Sequence, residues 1–201
     1  MKKFGWTVSE IAIAVMVVGI CACLTIPMFL ENTNKQQFAA SLKNTISALD
    51  QALEHKIIMG NLTANDFTDN EEIAEALKEK LHVAGSAKEK VVFTNTTLCP
   101  DTDDNGKPTA VFKLNNGVYI CIKNFSNKGC KNDNVTPCTI SGEDKPNVFI
   151  DVNSEKKKNK LAELLSKPDD IYQAQIYNQK IVAWGDISQH MAYDRKYNGS
   201  H

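Results

Sequence analysis

The chain has 201 residues, 42% hydrophobic and 23% charged, with a formal net charge of −1. That leaves room for one globular domain plus a membrane segment, and the composition is ordinary for a folded protein. Lys and Arg together number 23, of which Arg195 is the one arginine; nucleic-acid recognition favours arginine forks on a concentrated basic face, so direct nucleic-acid binding is not expected.

A basic leader, Met1-Lys2-Lys3-Phe4-Gly5, precedes Trp6-Thr7-Val8-Ser9-Glu10, and no charge follows from Ile11 to Leu30. An apolar stretch of this length spans a bilayer as a helix. Lys2 and Lys3 before it place the N-terminus in the cytoplasm and send the rest across. Glu10 is the anomaly, because an ionised group in hydrocarbon is costly without a partner. Beyond Leu30 the chain turns polar, yet Phe38, Leu42, Ile46, Leu49, Leu53 and Ile57 draw one apolar helical face. Gly60-Asn61 supplies a stop. The pattern predicts one helix from Trp6 to Met59, roughly 80 Å long at 1.5 Å per residue. Its first half is expected to contact lipid or neighbouring subunits, and its second half its own globular domain. Pro27 is expected to kink or locally melt the helix.

Asp69 to Leu81 reads as a second helix with Ile73, Ala76, Leu77 and Leu81 inward. Strands follow: Val91-Val92-Phe93, then Thr109 to Leu114 and Val118 to Ile122 around the hairpin signal Asn115-Asn116-Gly117, then Val148 to Val152. Asn124 to Gly142 is loop-like. Leu161 to Leu165 is read as a helical turn and Ile171 to Trp184 as one or two strands, with Trp184 in the core. From Gln189 the tail is polar and expected to fray. The fold class expected is α+β, a long N-terminal helix on a small, mainly antiparallel sheet.

Cys21 and Cys23 lie in the apolar run and behave there as small apolar side chains. Cys99, Cys121, Cys130 and Cys138, downstream of a membrane signal, suggest two disulfides formed in an oxidising compartment. Three pairings are open; the reading leans to Cys99 with Cys121 and Cys130 with Cys138. Zinc is disfavoured, since that stretch has neither Cys-x-x-Cys nor histidine.

The segment Trp6-Thr7-Val8-Ser9-Glu10-Ile11-Ala12-Ile13, after a basic leader ending in Gly5, resembles the prepilin signal of type IV pilins and type II secretion pseudopilins. The resemblance implies cleavage after Gly5 and methylation of Trp6 by a prepilin peptidase. It implies an assembly role for Glu10, the fifth mature residue, and for the helix-softening Pro27, the twenty-second. Trp6 departs from the family's usual phenylalanine. Asn147 to Asn153 looks like a strand-and-turn segment of pilin-like proteins, with Ser154 where glycine is usual. The implied organisation is a leader (1–5), a transmembrane and assembly half-helix (6–30) and a pilin-like globular domain (31–201). The implied function is a structural filament subunit, a pseudopilin or minor pilin. It would be stored in a bacterial inner membrane and then assembled into a periplasmic or extracellular filament. Its partners would be related subunits, the peptidase and the assembly platform. Cleavage would leave an amine on Trp6 one helical turn from Glu10, and staggered subunits could pair that amine with a neighbour's Glu10, setting register as buried polar groups do in coiled coils.

The remaining motifs have blander readings. Asp101-x-Asp103-x-Asn105-Gly106 copies the first half of a calcium loop, but Phe112 stands where the bidentate glutamate belongs, so the segment reads as an acidic turn and no cofactor is expected, calcium on Asp101, Asp103 and Asn105 being the alternative. Lys156-Lys157-Lys158 with Lys160 reads as a solvated turn, and the Asn-x-Ser/Thr matches at Asn61, Asn95, Asn124, Asn134 and Asn198 as asparagine-rich composition. His55, His82, His190 and His201 are scattered without a hydrolase or phosphate-loop motif, so no enzyme is expected. The alternatives are a lipoprotein, from Ile20-Cys21-Ala22-Cys23, or a membrane-anchored periplasmic binding protein or enzyme.

Overall fold

The computed structural model describes residues 7–60, 67, 69–84, 91–125, 146–153, 160–162, 169–177 and 180–193, without the side chains of 24, 27–32 and 177. The chain divides into two compact units, Met1–Gln37 and Phe38–His201. Helix α1 runs over Val8–Gly60, close to the predicted span and ending at the predicted glycine. Its backbone stays helical through Pro27. The expected melting is therefore not seen: a proline removes one ladder bond, and the bonds on either side still hold the turn.

The predicted stripe is the core. Leu42, Ile46, Leu49, Leu53 and Ile57 are buried, with Phe38 packed against them. Burying each such side chain contributes about 1.5–3 kcal/mol. Helix α2 (Asn70–Lys78) starts at Asp69, whose carboxylate accepts from the N–H groups of Glu71 (3.1 Å) and Glu72 (2.9 Å), as an N-cap should. It ends short of the predicted Leu81, which is still half-buried against the core. Lys56 of α1 forms an ion pair with Glu79 just past α2; being exposed, it adds little.

Five antiparallel strands form one sheet in chain order: β1 (Ala110–Lys113), β2 (Tyr119–Ile122), β3 (Val148–Asp151), β4 (Ile171–Tyr177) and β5 (Lys180–Ala183). The β1–β2 connection is the predicted hairpin. Gly117 takes a φ of 91°, which side chains resist, and the Gly117 N–H donates to the Leu114 carbonyl (2.9 Å). Strand alternation gives the sheet two apolar faces. Phe112, Ile120, Ile122, Ile150, Tyr172 and Ile181 share one cluster with α1 and α2, while Tyr119, Cys121, Phe149 and Ile171 share another with Phe93 and Cys99. Cys99 and Cys121 are disulfide-bonded, as the reading leaned; Cys130 and Cys138 lie outside the described residues.

Four expectations are corrected. Val91-Val92-Phe93 is not a strand: Phe93 is buried and Val91 half-buried against the second face without joining a ladder, while Val92 is exposed. Leu161 is not helical but forms a parallel bridge with Ile171, while 163–168 lie outside the described residues. Gln189 to Tyr193 do not fray, while 194–201 lie outside the described residues. They sit in helix α3 (Gly185–Tyr193), which packs Ile187, Met191 and Ala192 into the core. Trp184 is half-buried rather than core.

Among the described residues, no helix is long and apolar enough to cross a membrane; the unbroken run of described α1 side chains from Val8 stops at Cys23. The disulfide spans 22 positions, and closing a loop of that size restricts the unfolded chain by about 3 kcal/mol. Replacing Cys99 and Cys121 together by alanine should lower unfolding free energy by roughly that amount. Urea unfolding of the variant beside the oxidised and reduced native chain would check it.

Candidate assembly segment and the Asp103 hub

Every side chain from Thr7 to Cys21 is exposed, Val8 at 85% and Met16 at 69% among them. The run is apolar around the whole helix, so exposure is not confined to one face. An apolar surface of that extent on a soluble monomer marks contact with lipid or protein. Thr25 within it donates its hydroxyl to the Cys21 carbonyl (3.0 Å), a local way to shelter a polar group in apolar surroundings. Cys21 and Cys23 are free, exposed thiols.

Glu10 begins this segment in a way the sequence reading missed. Its Oε2 accepts from the Thr7 N–H (2.8 Å) and from the Thr7 hydroxyl (2.9 Å), and its own N–H donates to Thr7 Oγ1 (3.3 Å). Thr7 and Glu10 thus form a reciprocal capping box. The signal is present in the sequence as Thr7-x-x-Glu10 ahead of an apolar run. Gly5 and Trp6 lie outside the described residues.

In the globular unit, the half calcium loop has become something else. Asp103 is buried, and its carboxylate is held by four N–H donors. Oδ1 accepts from the backbone of Asn105 (2.9 Å) and Lys107 (2.9 Å); Oδ2 accepts from Asn70 Nδ2 (3.0 Å) and the Asn124 backbone (3.1 Å). Burial pushes this carboxyl up, but the bonds from Asn70, Lys107, Asn105 and Asn124 outweigh it and hold it below the usual carboxylate range. Asn70, fully buried, also donates to the Pro108 carbonyl (2.8 Å) and accepts from the Phe125 N–H (2.9 Å). Asn124 completes the knot in the left-handed region (φ 54°), exchanging bonds with Asp104, a conformation asparagine tolerates better than most residues. One acid therefore ties the start of α2, the 101–109 turn and the end of β2 together. Asp101 and Asn105 flank it on the surface, and among the described residues no group of three or more His, Cys, Asp or Glu could hold a metal.

Two further buried acids follow the same logic. Asp151 accepts from the Thr94 hydroxyl and the Asn153 N–H (3.0 Å), and Asp170 from the Lys160 N–H (2.9 Å). Beside Asp170, burial and then the charges of Asp170 and Asp169 push the Tyr172 phenol far up, so it stays neutral. His55 and His82 share an open groove of about 530 Å³ with Lys80, above buried Ala52 and Leu114. His190 lies apart in α3, and Lys156-Lys157-Lys158 and His201 lie outside the described residues.

No protein-family model, curated protein or solved structure matches the chain.

Because the Asp103 carboxyl is held low when folded, its contribution to stability is complete above the unfolded value, near pH 4, and is lost as pH falls through the folded value. Asp103→Asn sets an amide N–H against N–H donors and should cost about 2–3 kcal/mol at pH 7. Urea midpoints measured from pH 6 to pH 2 should fall less steeply in the variant than in the native chain.

Proposed function

We propose that the chain is a pilin-like filament subunit, a pseudopilin or minor pilin, assembled through the first half of α1. The observation that carries this reading is a helix that is apolar and exposed on all sides from Ile11 to Cys21, entered through a single carboxylate. A helix of that kind needs lipid or like helices around it. The change at Phe38 to a one-sided stripe, buried in a globular unit of its own, supports the division into an assembly half and a displayed domain.

The mechanism is one of assembly. A prepilin peptidase removes Met1 to Gly5, the subunit waits in the inner membrane, and the assembly platform moves it into a helical stack. Cleavage creates an amine on Trp6. In the membrane the capping box supplies Glu10 with its nearest donors, Thr7 N–H and hydroxyl, both on Oε2. Among the described residues Oε1 accepts nothing, which leaves one oxygen for the amine of a staggered neighbour. Charge pairing in a low-dielectric layer then selects the register in which each amine meets an acid.

Mass spectrometry of the membrane-extracted protein should find methylated Trp6 at the N-terminus; diacylated Cys23 or an intact Met1 would overturn the reading. Glu10→Ala should remain in the membrane fraction and drop out of sheared filaments by tenfold or more, the loss expected when about 1.4 kcal/mol of pairing is removed. Incorporation at the native level would sink the register mechanism.

A further inference from the structure

The last described strand of the sheet, β5, has its outward N–H groups closed off by side chains. Ile181 and Ala183 face Ile176 and Ala174 across the β4–β5 pair. The Ile176 N–H turns toward the β3 side, donating to Asn147 Oδ1 (2.8 Å). Antiparallel pairs alternate between exchanging bonds and facing away, so the N–H groups of Ile181 and Ala183 point off the sheet. Neither is left open. The Ile181 N–H donates to Asp50 Oδ1 of α1 (2.8 Å), and the Ala183 N–H donates to the Tyr193 hydroxyl of α3 (3.1 Å). At the opposite side of the sheet, β1 meets backbone instead: the Ala84 N–H donates to the Lys113 carbonyl (2.7 Å), and Val83 bridges Leu114.

We propose that Asp50 and Tyr193 are guards of the β5 edge that keep it from pairing with β5 of a second copy. An uncovered strand edge is a template for another strand. Lys180-Ile181-Val182-Ala183 is a good one, with two adjacent β-branched residues, Ile181 and Val182, and one charge at its end. The occupant it fits is its own copy: two such edges related by a two-fold axis are antiparallel and self-complementary. Asp50 is also a charge held against the edge, which a second strand would have to bury. The guards come from two different helices, so loosening either α1 or α3 would uncover one donor. The need for them is greatest in a chain whose copies are crowded together.

The test uses the full chain in detergent micelles. The variants are Asp50→Ala with Tyr193→Phe, and Asp50→Asn, which keeps an acceptor for Ile181. Hydrogen exchange of the Ile181 and Ala183 amides is followed against protein concentration, with native mass spectrometry in parallel. In the native chain and in Asp50→Asn both amides should exchange slowly at every concentration. In the double variant they should exchange about fivefold faster or more when dilute, the effect of losing roughly one hydrogen bond each, and slow again at micromolar concentrations as dimers appear. Fast exchange with no dependence on concentration and no dimer would overturn the proposal, leaving the two side chains as simple caps. If the double variant does not fold, Tyr193→Phe alone gives the same reading at Ala183, since it removes one oxygen from a side chain that is 42% exposed. Association through the N-terminal helices would be common to the native chain and every variant, so a dimer specific to the double variant reports on β5, and failure of the filament reading and failure of this one give different results.

Discussion

The apolar stripe of α1 from Phe38 to Ile57 closes one face of the sheet, and the rest of the globular unit depends on it. The strands are short, four residues each except β4, and strands of that length are marginal unless a face is buried against another element. Leu42, Leu49 and Leu53 are each fully buried and meet Phe112, Ile120, Ile150 and Tyr172 in one cluster. A register slip of one residue in any strand would turn that face to the other side and separate it from α1. The second face is smaller and is held differently, by the Cys99–Cys121 disulfide and the buried Phe93.

The connecting segments are held by buried acids used as acceptors. Asp103, Asp151 and Asp170 each accept backbone N–H groups of loop residues that no ladder reaches. A carboxylate is suited to this because it offers several lone-pair directions and forms stronger bonds than a neutral acceptor. It is also exacting: once buried, an acid missing its donors costs more than an apolar residue would. This explains why the acids sit where the chain enters or leaves the sheet and never in mid-face.

Much of this was legible beforehand because it rested on periodicity. The α1 stripe, the Asn115-Asn116-Gly117 hairpin and β3 are local patterns whose spacing matches the geometry they form. Val91 to Phe93 misled because a run of three apolar residues is too short to carry a period, and a loop that buries only Phe93 leaves the same trace as a strand. Helix α3 was hidden by its polar surface, although Ile187, Met191 and Ala192 repeat at helical spacing after Gly185, whose φ of 76° marks the break from β5. The Asp103 hub was the hardest to foresee. Its partners Asn70 and Asn124 are 33 and 21 positions away, and nothing local distinguishes an acid that gathers distant amides from one that awaits a cation.

The Thr7–Glu10 box bears on how the proposed assembly segment behaves in two solvents. In water, Glu10 is hydrated and the box does little beyond defining where α1 begins. In the hydrocarbon that the proposed assembly implies, the same carboxylate would lose its hydration, and Thr7, its donor among the described residues, offers dipoles where a full positive charge is wanted. On the proposed function, the box would let a solitary subunit reside in the membrane without matching what an amine supplies. In the proposed assembly that inequality would give stacking a direction: a neighbour's amine would improve on Thr7, whose N–H and hydroxyl already hold the acid at its own helix N-terminus. A fully satisfied Glu10 would remove the incentive to stack, and an unsupported one would oppose entry into the membrane at all.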